Sequence, residues 1–233
     1  HALAVLLPNT FRMPHMQHVA WEPLRDFDYV TGLASYTFGL LANRDAPWRN
    51  VDDLVAEGQK SPGKLTCGTA GNGTTGHLLL LELERLTNAR FLHVPYKGSA
   101  ETGRALLAKE VDFILEAGSV VAQGQEGVYR LLAIADEEPS ALLPGAPTLR
   151  QKGWDTVGTS TYGIACRKGT PEAAIKTICA AYQNAMIGPA HEALMEQLVI
   201  RKWALGPREY QTWAENYFRS VKPVLARAGL VAA

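Results

Sequence analysis

The chain has 233 residues, 47% of them hydrophobic, and 23 basic against 23 acidic side chains. That is enough for one large domain or two smaller lobes, and the zero formal balance argues against nucleic acid or an anionic membrane surface as the main partner. No apolar run approaches the roughly 20 residues of a membrane span, and the three cysteines, Cys67, Cys166 and Cys179, lack metal-ligand spacing and permit at most one disulfide, Cys166 and Cys179 being nearest in sequence.

Taken in order, Ala2 to Leu7 reads as a short apolar strand, expected to be preceded by further chain because it has nothing earlier to pair with. No signal-peptide pattern follows His1. Met13 to His18 reads as irregular, Trp21 to Phe27 as a turn-rich connector, and Leu33 to Ala42 as one long strand. Val51 to Lys60 is an amphipathic helix with Asn50 as N-cap, stopped at Ser61-Pro62-Gly63. A strand around Leu65 and Cys67 then leads through a glycine-rich loop into a helix, and strands and helices alternate at short spacing to about Ala135, the signature of a parallel α/β sheet.

A proline-rich stretch, Pro139 to Pro147, interrupts that rhythm. A second extended segment follows at Val157 to Cys166, and Thr170 as N-cap with Pro171 at the first helical position marks a helix start. The remainder reads as helix over Glu172–Ile187, Ala190–Leu198 and Arg208–Ala228, with Pro223 expected to kink or end the last one. Two long extended segments bracketing a self-contained β/α run predict two lobes joined by two crossings. Ligands of such folds sit at the carboxyl ends of the strands.

The glycine-rich loop is the chemical centre of the chain. Residues Thr69, Ala70, Gly71, Asn72, Gly73, Thr74 and Thr75 separate a strand from a helix that opens on hydroxyl and amide residues. Glycines let backbone N–H groups turn outward, and a helix N-terminus is a ready anion site. Gly71 to Gly76 matches G-x-G-x-x-G, but the next strand, Ala89 to Tyr96, lacks the acidic residue that would hold a ribose. Gly68 to Gly73 has the spacing of G-x-x-x-x-G-K-[ST], but Thr74 stands where the phosphate-binding lysine belongs. A small carboxylate or oxyanion, which needs only N–H and O–H donors, fits the loop better than a nucleotide.

A second strand–glycine–hydroxyl–helix turn occurs at Tyr96, Lys97, Gly98, Ser99 and Ala100, and Glu116 closes an apolar strand where a side chain would face a ligand. Read alone, Lys97 is either a ligand partner or a solvated lysine, and Glu116 either a buried recognition group or an exposed acid. His77, in the first turn behind the loop, is expected to brace it. His15, His18, His93 and His191 have no spacing for a metal or a triad, and no Ser sits in G-x-S-x-G. No nucleophile–base pair stands out, so the residues favour a binder over an enzyme, with no metal or cofactor.

The segments PGKL (62–65), AGNGTTGHLLLLEL (70–83), HVPYKGSAET (93–102), VDFILE (111–116), YRLLAIA (129–135), PGAPTLRQKGW (144–154) and KGTP (168–171) occur in one order and spacing. They resemble the solute-binding proteins of tripartite tricarboxylate transporters, the TctC or Bug family. The resemblance implies an α/β type II periplasmic binding protein: lobe one from residues 1–32 and 158–233, lobe two from 33–157. The implied protein is a periplasmic, monomeric receptor, not an enzyme, that captures a small carboxylate and delivers it to a membrane permease. The family's signal peptide and its first strand, helix and loops have no counterpart in this sequence. By this resemblance the ligand loops are Thr69–Thr75, braced by His77, and Tyr96–Ala100, with Glu116 where many members have Asp. Thr161 and Tyr162 replace a usual Trp-Phe pair, and Cys166 and Arg167 a usual Ala-Pro. Two other classes share some of these features: an α/β enzyme binding a phosphorylated metabolite at the glycine-rich loop, and the effector lobes of a transcription regulator.

Overall fold

A computed structural model describes residues 2–158 and 160–232. His1, Thr159 and Ala233, which fall at the lobe boundaries and in the second extended segment expected above, lie outside the described residues. The chain forms two compact units, one from residues 1–35, 160–196 and 201–233, the other from 36–159 and 197–200.

The first unit is built on a four-stranded sheet in the order β1 (Leu3–Leu6), β8 (Ser160–Arg167), β2 (Phe27–Tyr36), β9 (Ile200–Lys202). β1 runs antiparallel to β8, with Leu3 opposite Cys166 and Leu6 opposite Gly163. Helix α1 (Pro8–Met16) occupies much of the stretch expected to be irregular. Pro8 opens it at the first helical position, where a missing N–H costs nothing. Its Phe11 is wholly buried, edge-on to Trp213 and Tyr217 of helix α9 (Pro207–Arg227), with ring centroids 5.5 and 5.9 Å away. A short turn of helix, α2 (Pro23–Asp26), replaces part of the expected connector.

Helix α9 runs through Pro223 to Arg227 rather than ending there. Pro223 lies on the exposed side, whereas Val221 and Leu225 are buried, so the lost N–H bond falls on the face that packing does not need. Helices α7 (Glu172–Ala185) and α8 (Pro189–Gln197) complete this unit. Pro171 takes the cap position of α7, and the Thr170 hydroxyl donates instead to the Arg167 carbonyl. Cys166 and Cys179 share an apolar cluster with Val30 and Ile164, and all three cysteines are free thiols.

The expected single strand over Leu33–Ala42 is two strands. β2 ends at Tyr36 and β3 (Phe38–Asn43) belongs to the other sheet. Between them Thr37 is buried and donates its hydroxyl to Asp136 Oδ2 at 3.0 Å. No proline marks this break, and the nearby Gly39 lies inside β3 rather than at it.

The second unit has a five-stranded sheet in the order β5 (Leu92–Pro95), β4 (Thr66–Thr69), β6 (Phe113–Ala117), β3, β7 (Tyr129–Ile134). β4 pairs parallel with β5 and β6, as the strand–helix alternation predicts. β3 is antiparallel to both β6 and β7, so the sheet is mixed rather than parallel. Although helix α3 (Val51–Lys60) joins β3 to β4, β3 runs against β4, β5 and β6, so a helical connection does not fix the strand direction here.

Successive side chains of a strand point to opposite faces, and here both faces are covered. Leu40, Phe113 and Leu115 meet Val51, Leu54 and Val55 of α3 (Val51–Lys60) and Leu79, Leu80 and Leu83 of α4 (Thr75–Thr87). Leu41 and Ile114 meet Ala105 and Leu106 of α5 (Ser99–Leu107) and Val120 and Val121 of α6 (Ser119–Gln125). Each wholly buried leucine contributes roughly 1.5–3 kcal/mol of transfer free energy. Among the described residues no helix is long and apolar enough to cross a membrane.

Candidate ligand loops

The parallel register places Thr69 beside Pro95 and Gly68 beside Ile114, so β4, β5 and β6 end at one edge of the sheet. The loops that leave this edge open helices α4 and α5. Asn50 and Thr74 are both side-chain caps in this unit, Thr74 Oγ1 accepting from the His77 N–H at 3.5 Å. At α5 the cap position is Gly98, which supplies no side-chain partner.

The first loop is held by its own side chains. Thr74 Oγ1 donates to the Gly71 carbonyl at 2.7 Å, and the Gly73 N–H donates to His77 Nδ1 at 3.1 Å. Gly73 has φ of 69°, the left-handed region that favours glycine. Gly76 is needed for a different reason: a Cβ there would lie 2.4 Å from the Leu115 carbonyl oxygen, so only glycine lets α4 begin this close to β6. The buried Thr69 hydroxyl shares a hydrogen bond of 2.7 Å with His93 Nε2 and accepts from the Gly71 N–H at 3.3 Å.

The second loop docks on the first through the Tyr96 N–H, which donates to the Thr69 carbonyl at 2.9 Å. The Lys97 N–H donates to Glu101 Oε2 at 3.1 Å, and its side chain is exposed. The Ser99 hydroxyl turns inward and donates to Glu116 Oε2 at 2.6 Å. Glu116 is only 2% exposed, and its Oε1 is buried without a hydrogen-bond partner among the described residues. Burial pushes this carboxyl above its ordinary range, opposed by the Ser99 and Thr102 hydroxyls and by the N–H groups of Ala117 and Ala70.

The expected residues therefore divide. Ala70, Gly71, Tyr96, Gly98 and Ser99 are partly exposed along the edge, and Asn72, Lys97 and Ala100 are exposed. Gly73, Thr75 and Glu116 are buried, and Thr69 spends its hydroxyl inside the frame of the loop. His93 is an addition that sequence spacing does not suggest. Its ring stacks on His77, centroids 4.0 Å apart and planes within 5°. The alternation of β5 carries no hint of it, because its partners come from another strand and a helix. Burial drives His77 down to about 4, helped by the neighbouring His93, and burial also lowers His93. Both rings are neutral near pH 7, and His77 accepts at Nδ1 and so carries its proton on Nε2.

Chemically, this edge offers backbone N–H groups at two helix ends, short hydroxyl side chains and a carboxyl pushed toward its neutral form. The second of the two α/β units carries these glycine-rich loops at its strand ends, and the two-unit fold is that of a periplasmic binding protein. The R. palustris protein Rpa4515, solved with adipate, superposes with a TM-score of 0.91 over 98% of this chain and 78% of its own, at 21% identity. MatC from Rhodopseudomonas palustris, solved with bound malate, gives 0.83 over 96% and 78%, at 22% identity. The model of the tripartite tricarboxylate transporter family receptor, TctC, matches residues 2–230, and the chain belongs to this family of receptors. A UPF0065 protein of Cupriavidus necator, from the gbd 5′ region, is 30% identical over all 233 residues. The chain spans 71% of that relative's length, and 55% and 60% of two further relatives from Pseudomonas and Bordetella pertussis.

Proposed function

We propose that this chain is an extracytoplasmic receptor that captures a small carboxylate on the loops Thr69–Thr75 and Tyr96–Ala100, without catalysis, and hands it to a tripartite tricarboxylate-type permease. The observation that carries the reading is the meeting of the α4 and α5 N-termini at one sheet edge, their loops tied by the Tyr96 N–H. Family membership supports it, and so do the adipate and malate held by the two related structures. The receptor acts as a monomer in the periplasm, and Glu116 tunes which carboxylate is accepted.

The energetics suffice. A hydrogen bond to a charged group contributes about 1.5–3 kcal/mol, and a helix terminus up to about 2 kcal/mol in a partly buried site. Three or four such donors, less ordering and desolvation costs, reach about −8 kcal/mol, a micromolar affinity. A thermal-shift screen against mono-, di- and tricarboxylates and phosphate esters tests this directly, because a ligand of the native state raises the melting temperature. A shift with one carboxylate class is expected. A shift confined to phosphate esters would overturn the reading.

A further inference from the structure

Carboxylate capture by the first loop leaves the stacked histidines behind it unexplained. We propose that His93 is a positioning residue for that loop: stacked on His77 and bonded to Thr69, it holds the loop at both ends and releases it on acidification. The inference rests on the reading of Ala70–Thr75 as the ligand loop and assigns that site a pH limit.

The geometry carries it. His77 Nδ1 must keep its lone pair to accept the Gly73 N–H at 3.1 Å. A proton there sets N–H against N–H, and the bond that fixes Gly73 is lost. His93 lies parallel at 4.0 Å, so a doubly charged pair would stack cation on cation. His93 Nε2, by contrast, can donate to Thr69 Oγ1 when the ring is charged, so the first proton is tolerated there. The second, on His77, breaks the frame. His93 is the titratable group that acts on His77, burial alone acts on His93, and neither ring bonds a carboxylate. The direction is the same in both: burial holds each ring neutral below the usual histidine range.

The test uses the ligand-free full chain, so its outcome is separate from that of the carboxylate reading. Protection of the Gly73 amide against hydrogen exchange and the ring nitrogen shifts of His77 are followed by NMR from pH 7.5 downward. Far-UV circular dichroism and the amides of Leu80 and Leu83 report the fold. Gly73 is expected to lose protection as His77 Nδ1 gains its proton, while Leu80 and Leu83 stay protected. In His93→Gln, whose amide still reaches Thr69 but does not titrate, the Gly73 transition is expected to move to higher pH, because no neighbouring charge opposes His77. Exposure of Gly73 only together with the whole fold would overturn the proposal. So would a His93→Gln transition at the wild-type pH.

Discussion

Ser99 donates its hydroxyl to Glu116 Oε2 at 2.6 Å, which ties the start of α5 to the end of β6 across the candidate ligand edge. The bond joins a partly exposed loop to a carboxyl that is only 2% exposed. Ser99→Ala would leave that oxygen without its hydroxyl partner. A stability loss of about 1–3 kcal/mol is expected, the cost of an unsatisfied buried polar group, measured by urea denaturation at pH 7.

Glu116 also sets a slope of stability with pH. Its folded-state pKa lies above the ordinary 4.5, so its contribution is fully present below pH 4.5 and is lost as pH rises through the folded value. In Glu116→Gln, whose amide does not titrate, this part of the loss is expected to vanish. Melting temperatures of the two proteins, compared between pH 5 and pH 8, check it: the variant should fall less over that interval than the wild type.

The histidine pair works in the opposite sense. Both folded-state values lie below 6.5, that of His77 at about 4, so the pair's contribution is complete above pH 6.5 and is lost as pH falls toward 4. His77→Gln is expected to flatten the decline between pH 6.5 and 4 that wild-type denaturation curves show, at the cost of a lower stability at pH 7.

Ala100 separates binding from folding. Its side chain is exposed in the first turn of α5, so Ala100→Asp is expected to change stability by less than about 0.5 kcal/mol. It would nonetheless place a fixed negative charge at the α5 N-terminus, where the ligand carboxylate approaches the free helix end. A loss of about tenfold in affinity, about 1.4 kcal/mol, is expected by calorimetry. Gly73 and Gly98 are less suited to this comparison, because a side chain at φ of 69° or 159° strains the backbone as well.

Where the signals are local, the sequence reads well. Asn50, Thr74 and the glycines around them announce α3 and α4, because caps and left-handed turns depend on a few adjacent residues. The parallel pairing of β4 with β5 and β6 follows from the alternation of strand and helix. Tertiary choices are another matter. The break at Thr37 depends on Asp136, 99 positions away, and the antiparallel course of β3 on its pairing with β6 and β7, which come later in the chain. His93 belongs to the same class, since its partners Thr69 and His77 reach it only once β4, β5 and α4 are assembled. Pro223 shows the converse: a strong local breaker is overridden where its missing N–H faces water and its neighbours are buried.

The central claim is carboxylate capture at the α4 and α5 helix ends, and calorimetric titration of the wild type and Ala100→Asp with adipate, malate and a matched phosphate ester tests it most directly. The account predicts binding of at least one carboxylate by the wild type, weakened about tenfold in the variant, with the phosphate ester silent. Wild-type affinity for that carboxylate retained in a folded Ala100→Asp, or binding of the phosphate ester alone, would contradict it.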